Sequence, residues 1–314
     1  MRPSALALLI GLTGCVSGAP PPIPLNPVRF LSINDVSVTD TLQNGRGGLA
    51  RVATVRRRLA DQGPVLFVLA GDFLGPGASS KYFHGRQMID VLNAAKLDYA
   101  TFGKHEFDLE RDTLVARIAE SKFKWISSNC TNADGARFPK VLPWDTVRVS
   151  GHKVGLFGLT LQGAYPRYVR CVNPDTAAHR AIQTLSAEGA DLIVGLTHQT
   201  MVADRNLLGR EPKLDLILGG HEHKAQDSVV SNRHVVKADA DAETAQFVTL
   251  WGGKESWRQA VGLVRIDNTL PPDSSVARVV ARWSDSLKQR LGPEQSVGVT
   301  GVPLDRSTPA SPRQ

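Results

Sequence analysis

The chain has 314 residues, a length that suits one large domain or two small ones. Its hydrophobic fraction of 42% and charged fraction of 21% are ordinary for a soluble globular protein, so it can bury a substantial core. The net charge of +7 favours anionic ligands without identifying one. Nucleic acid is disfavoured as a partner, because basic and aromatic residues do not alternate as they do in single-strand binders.

The N-terminus resembles an export signal. Residues 1–15, MRPSALALLIGLTGC, contain one early arginine, then an apolar run and small residues. The apolar run, about ten residues long, is too short to span a bilayer and fits a signal peptide. The segment LTGC resembles a bacterial lipobox, which implies an exported lipoprotein anchored to a membrane through Cys15, on the periplasmic or cell-surface side. An ordinary cleaved signal is the alternative. Residues 16–27 are proline-rich and suit a linker.

Strand-like apolar segments alternate with helical segments along the rest of the chain. The predicted strands are 28–35, 64–72, 99–102, 123–129, 190–198 and 214–223, with a hairpin over 146–160 and a late antiparallel set at 234–239, 246–251 and 260–266. The predicted helices are 48–59, 87–95, 109–120, 176–188 and 276–292. This alternation predicts an α/β fold with mixed sheets.

Two cysteines remain after Cys15. In an exported protein, Cys130 and Cys171 can form a disulfide. The sequence does not show whether they lie close together, so two free thiols are an equally good interpretation. The sequence has no Cys-x-x-Cys pair, which disfavours a thiolate zinc site.

Most of the predicted strands end in a side chain that can bind a metal ion. These side chains are Asp35, Asp72, His105 with Asp108, His198, and His221 with His223. One Gly-Asp or Gly-His alone is more often a turn, but ligands bind outside the carboxyl ends of strands in open α/β sheets. Carboxylate and imidazole ligands together suit zinc, manganese or iron. A bridging carboxylate can hold two ions about 3.5–4 Å apart, a spacing that clamps a phosphoryl group.

The same residues carry a family resemblance. Asp35, GD at 71–72, GKHEFD at 103–108, LTH at 196–198 and GGHEH at 219–223 resemble the signature of calcineurin-like metallophosphoesterases, in particular the 5′-nucleotidase branch. The resemblance implies a four-layer α/β sandwich, with two mixed β-sheets flanked by helices, over residues 28–270. It also implies a hydrolase of small phosphate esters, possibly nucleotides, that uses one or two divalent metal ions.

The resemblance implies a role for each metal-binding residue. Asp35 and His223 would hold the first metal ion, and His198 and His221 would hold the second. Asp72 would bridge the two ions.

The loop that contains His105 would supply the catalytic groups. His105 would stabilise or protonate the leaving group, and Asp108 would orient its ring. Lys104 stands where the family has a metal-binding asparagine, and a protonated ammonium has no lone pair for a metal. It would instead contact the phosphate as a fixed positive charge. Ser37 replaces a family histidine and is a weak ligand.

These two departures leave an alternative open. The chain could be a degenerate member of the family that binds anions or partners with little or no turnover. Residues 271–314 are expected to contain a linker, a helix and the start of a truncated C-terminal domain, because VGVTGVPLD at 297–305 resembles the entry into the family's second domain.

Overall fold

The computed structural model describes residues 26–253 and 256–292. The predicted signal peptide, Cys15, nearly all of the proline-rich linker and the segment at 297–305 lie outside the described residues. Within the described ranges, no helix combines the length and apolar composition that a membrane crossing requires.

The first sheet has seven strands with a parallel centre. In spatial order they are β15 (Ser256–Arg265), β14 (Thr244–Gly253), β1 (Val28–Ile33), β2 (Leu66–Ala70), β3 (Tyr99–Thr101), β4 (Lys124–Ile126) and β6 (Val141–Leu142). β1 to β4 and β6 run parallel, and β14 and β15 add an antiparallel edge. Every residue of β2, LFVLA, is buried, as expected for a parallel strand covered on both faces.

The second sheet has six strands. In spatial order they are β12 (Gln226–Val230), β13 (Arg233–Lys237), β11 (Leu216–Gly219), β10 (Leu192–His198), β8 (His152–Thr160) and β7 (Trp144–Val149). β7 and β8 form the predicted hairpin, which turns at Ser150 and Gly151, both with positive φ. A separate two-stranded sheet pairs β5 (Cys130–Asn132) with β9 (Val169–Cys171). Cys130 and Cys171 face each other in that pair and form a disulfide.

Helices cover the outer face of each sheet. Those on the first sheet are α1 (Leu49–Ala60), α3 (Arg86–Ala94), α4 (Arg111–Glu120) and α7 (Ser274–Leu291), with the short α2 (Ser80–Phe83) beside α3; those on the second are α5 (Pro174–Ala187) and α6 (Met201–Arg210). The inner faces of the two sheets pack on each other through aliphatic side chains such as Val68 and Val194. The predicted four-layer α/β sandwich is therefore confirmed.

Two details of the predicted strands were wrong. The late segments do not form one antiparallel set, because β13 joins the second sheet, parallel to β11, whereas β14 and β15 join the first. Several elements were not predicted at all, among them β12, a polar strand at the edge of the second sheet that the apolar pattern did not reveal. The strand predicted over 214–223 ends at Gly219, because His221 and His223 have positive φ and turn the chain.

Candidate metal centre

Asp35 lies two residues after β1, in a turn with φ of 52°. Its backbone N–H donates to the Gly71 carbonyl at 3.0 Å, which joins this turn to the one after β2. The carboxylate is buried. Oδ2 accepts hydrogen bonds at 2.8 Å from the Asn34 side chain and from the His221 backbone N–H. Oδ1 has no hydrogen-bond partner among the described residues. One oxygen is thus held by two hydrogen bonds, whereas the other accepts none from the described residues.

Asp72 lies two residues after β2 and, like Asp35, has one carboxylate oxygen with a hydrogen bond and one without. Its Oδ1 accepts the His105 backbone N–H at 2.7 Å, and its buried Oδ2 has no hydrogen-bond partner in the described part of the chain. Two glycines allow Asp72 and His198 to lie this close to the neighbouring backbone. A Cβ on Gly71 would lie 2.8 Å from His198 Nδ1, and one on Gly103 would lie 2.1 Å from Asp72 Oδ1. Neither position therefore has room for a side chain.

His198, the last residue of β10, is fully buried. Its Nδ1 lies 2.8 Å from the Ala70 carbonyl oxygen. A carbonyl only accepts, so Nδ1 carries the proton, and in the neutral ring the lone pair is on Nε2. Nε2 lies 3.0 Å from Asp72 Oδ2 and 3.9 Å from Asp35 Oδ1.

These three residues bring their unpartnered atoms together. One ligand atom from each residue lies within 4.8 Å of those of the other two. The buried atoms without a hydrogen-bond partner among the described residues are Asp35 Oδ1, Asp72 Oδ2 and His198 Nε2. Burial by itself lowers the pKa of His198, but the nearby carboxylates of Asp72 and Asp35 outweigh it and raise that pKa to about 9. The cluster therefore attracts positive charge. Buried carboxylates without partners are costly, so the donor set fits a metal ion.

The turn after β11 brings two more predicted ligands to this cluster. His223 Nε2 lies 3.2 Å from Asp35 Oδ1, although the side chain is 63% exposed. The ring of His221 packs against that of His198, with 5.4 Å between centroids. Burial, and then the charges of His198 and Lys104, lower the pKa of His221, which favours the neutral ring that a metal needs. Each histidine lies beside the partner that the resemblance implied, while ligation itself stays a prediction.

His105 and Asp108 lie on a short 3-10 helix, His105–Asp108, after β3. Their side chains are paired, with 2.6 Å between Nδ1 and Asp108 Oδ2. The carboxylate orients the ring through Nδ1, so a further partner would be contacted through Nε2. Because the His105 backbone N–H also holds Asp72, the partly exposed ring is fixed at the margin of the cluster.

Lys104 and Ser37, the two residues that differ from the family pattern, lie in different surroundings. Lys104 is exposed, and its charge is close enough to lower the pKa of His221. Ser37 is partly buried and lines a cavity of about 280 Å³ with Trp283. Its backbone N–H donates to Asp241 Oδ1 at 2.7 Å.

The sequence interpretation missed Glu106, which lies inside GKHEFD and is fully buried. Its carboxylate accepts four backbone N–H groups, from Asp72, Phe73, Leu74 and Gly103, at 2.9, 2.7, 3.0 and 2.6 Å. Burial, and then the charge of Asp72, raise the pKa of Glu106, while these N–H groups act in the opposite direction. Glu106 thus fixes the loop that carries Asp72. In the sequence, the feature that could have identified Glu106 was its position inside the GKHEFD motif.

The interpretation also missed Lys237, a buried cation at the end of β13. Its Nζ lies 2.5 Å from the Gln199 carbonyl, 2.5 Å from Glu222 Oε2 and 2.9 Å from Asp204 Oδ2. Gln199 follows His198, and Glu222 lies between His221 and His223. Lys237 therefore links the residue after β10, which ends at His198, to the turn that carries His221 and His223.

Comparisons with known proteins agree with this geometry. Residues 28–225 match the sequence profile of the calcineurin-like phosphoesterases. The snake venom 5′-nucleotidase of Naja atra is 27% identical over 190 residues, which are 56% of this chain and 35% of that protein. The chain spans about a third of the length of the curated relatives it matches first.

Two solved structures share the fold. The calcineurin-like phosphoesterase YfkN from Bacillus subtilis gives a TM-score of 0.74 at 19% identity, over 85% of this chain and 99% of that one. The 5′-nucleotidase precursor from Thermus thermophilus gives 0.75 at 21% identity, over 84% of this chain and 60% of that one. At these identities the matches establish the fold.

Proposed function

The chain belongs to the calcineurin-like phosphoesterase family, and on that basis we propose that it is a metal-dependent hydrolase of small phosphate esters, of the 5′-nucleotidase type. The observation that carries the proposal is the convergence of Asp35 Oδ1, Asp72 Oδ2 and His198 Nε2, three buried atoms without partners among the described residues. Nucleotides are the substrate class that the names of the relatives suggest.

Divalent ions of the zinc, manganese or iron type suit these ligands. Asp35 and His223 would hold the first ion, His198 and His221 the second, and Asp72 would lie between them. When bound, such ions supply Lewis-acid stabilisation to a phosphoryl group.

The loop after β3 would act on the substrate directly. Asp108 holds Nδ1 of His105, so Nε2 is the atom that would donate a proton or a hydrogen bond to the leaving-group oxygen. Glu106 keeps the backbone of this loop in place, and Lys104 would hold a phosphate oxygen as a point charge. Lys104 also favours the second candidate function, anion binding with little or no turnover, because it cannot take the metal-binding role of the family's asparagine.

Hydrolysis of p-nitrophenyl phosphate and AMP with added manganese or zinc separates the two candidates. His105→Ala is expected to reduce turnover about 10²–10⁴-fold with an unchanged melting temperature. His179→Ala, at an exposed histidine on α5, is the matched control and should retain full activity. Binding of metal without turnover in the parent protein would refute the hydrolase and favour the anion-binding candidate.

Lys104→Asn tests the role of the lysine. Restoring the family residue is expected to raise metal content toward two ions per chain and to raise activity, more so when combined with Ser37→His. Loss of activity with both ions bound would instead make Lys104 a required phosphate-binding group.

Export and lipid anchoring are part of the same proposal. The sequence of residues 1–15 supports them, and so does the Cys130–Cys171 disulfide, since disulfides persist in oxidising compartments. Cys15→Ser is expected to release the protein from membranes. Identical fractionation of the variant and the parent protein would exclude the lipid anchor.

A further inference from the structure

A cavity of about 500 Å³ lies between the end of β4, the small β5–β9 sheet and the first half of α5. It is connected to the metal centre through hydrogen bonds. Asn129, on its wall, bonds to Thr160, and the Thr160 hydroxyl donates to the Phe102 carbonyl, one residue before Gly103. We name it the arginine cavity, after the three arginines Arg137, Arg170 and Arg180 that line it.

The three arginines come from three separate elements: a loop after β5, strand β9 and helix α5. All three are exposed, and within the part of the chain that the structure describes their guanidinium groups have no carboxylate partner. Among the described residues, none of those that line the cavity is Asp or Glu. Three positive charges along one cavity without a carboxylate among its described lining residues favour a ligand with several negative charges.

The lining also offers an apolar surface. The half-buried indole of Trp144 and the side chain of Val172, which is 44% exposed, line the same cavity as the arginines. A flat ring can pack on an indole while its charged groups reach the guanidinium groups.

The wall of the cavity is held rigid by internal bonds. The Ser128 hydroxyl donates to the Pro143 carbonyl at 2.5 Å, and both polar atoms of the Asn129 side chain bond to the backbone of Thr160. The Cys130–Cys171 disulfide joins the two strands that flank the cavity. These groups are bonded within the protein, and the arginines are the charged donors among the described lining residues. A rigid wall also reduces the entropy that binding must overcome.

We propose that the arginine cavity is a second anion site, which binds a phosphate chain carrying at least two phosphate groups. A nucleoside di- or triphosphate and inorganic polyphosphate share this chemistry, and the cavity is in the size range of small-molecule sites. The site is separate from the metal centre and needs no metal ion. Its existence does not depend on whether the protein is a hydrolase.

Calorimetric titration of metal-stripped, dialysed protein with tripolyphosphate, ATP, AMP and adenosine tests the site, because the metal centre is then without its ions. Tripolyphosphate and ATP are expected to bind and adenosine is not. Arg170→Gln and Arg180→Gln should each weaken binding about tenfold. Arg258→Gln, at an exposed arginine on β15 at the far edge of the first sheet, is the matched control and should leave the affinity unchanged.

Two further results would decide the nature of the ligand. If the ligand is a nucleotide, Trp144→Leu should weaken the binding of ATP but not that of tripolyphosphate. If the ligand is a polyphosphate, the parent protein and this variant should each bind ATP and tripolyphosphate with equal affinity. No binding of either compound at low salt would overturn the proposal. An equal loss of affinity in Arg258→Gln would overturn it as well, because the binding would then reflect net charge alone.

Discussion

Lys237→Met is expected to lower the free energy of unfolding by about 3–5 kcal/mol, because it breaks a buried ion pair and leaves its carboxylate without a counter-ion. Lys237 is 1% exposed and Asp204 is 0% exposed, with 2.9 Å between the charged atoms. Methionine is of similar length and fills the same space, so the change removes the charge and its hydrogen bonds with little loss of packing.

The size of the effect depends on pH. Burial raises the pKa of Asp204 even though Lys237 and hydrogen bonds act against it. A folded-state pKa above the unfolded value gives a stabilising contribution that is present in acid and is lost as the pH rises. Without Lys237 that pKa rises further, so the loss of stability should be larger at pH 8 than at pH 5.

Urea unfolding of metal-stripped protein, followed by circular dichroism, measures this loss without a contribution from metal binding. Lys237→Met combined with Asp204→Asn should recover part of the stability, since the carboxylate that then remains without a counter-ion, Glu222, is not fully buried and keeps part of its hydration. Lys213→Met, at an exposed lysine, is the matched control and should change stability by less than about 0.5 kcal/mol. A loss below about 1 kcal/mol at pH 8 would refute the reasoning, as would a double variant no more stable than the single one.

Three other changes test separate parts of the structure. Glu106→Gln should lower the free energy of unfolding by about 2–3 kcal/mol, because a neutral amide cannot accept the four N–H groups; an unchanged urea midpoint would contradict this. Burial raises the pKa of Asp215 to about 6, so its stabilising contribution is lost as pH rises through that value. Asp215→Asn should flatten the melting temperature between pH 4 and 8, and an unaltered pH profile would argue against the shift. Cys130→Ser with Cys171→Ser should cost about 2–4 kcal/mol for a disulfide that closes a loop of this size; equal melting temperatures of the oxidised parent and the variant would exclude that contribution.

The sequence by itself determined the fold class and the main residues of the candidate site. Strands such as LFVLA at 66–70 are continuous apolar runs, and they end in Asp or His at 35, 72 and 198. The carboxyl ends of parallel strands meet at one edge of a sheet, so the positions of these side chains along the chain already place them together. The structure brings Asp35, Asp72 and His198 within 4.8 Å, in agreement with that reasoning.

The tertiary structure alone decided which distant segments contact one another. It pairs Cys130 with Cys171, assigns β13 to the second sheet, and buries Lys237 between Asp204 and Glu222. The arginine cavity likewise combines elements that are remote in the chain. Local patterns cannot reveal such contacts, because a charged residue has the same propensity and periodicity in the sequence whether it is exposed or buried. Only the packing of the two sheets determines which charges lose their water and must find a partner in the protein.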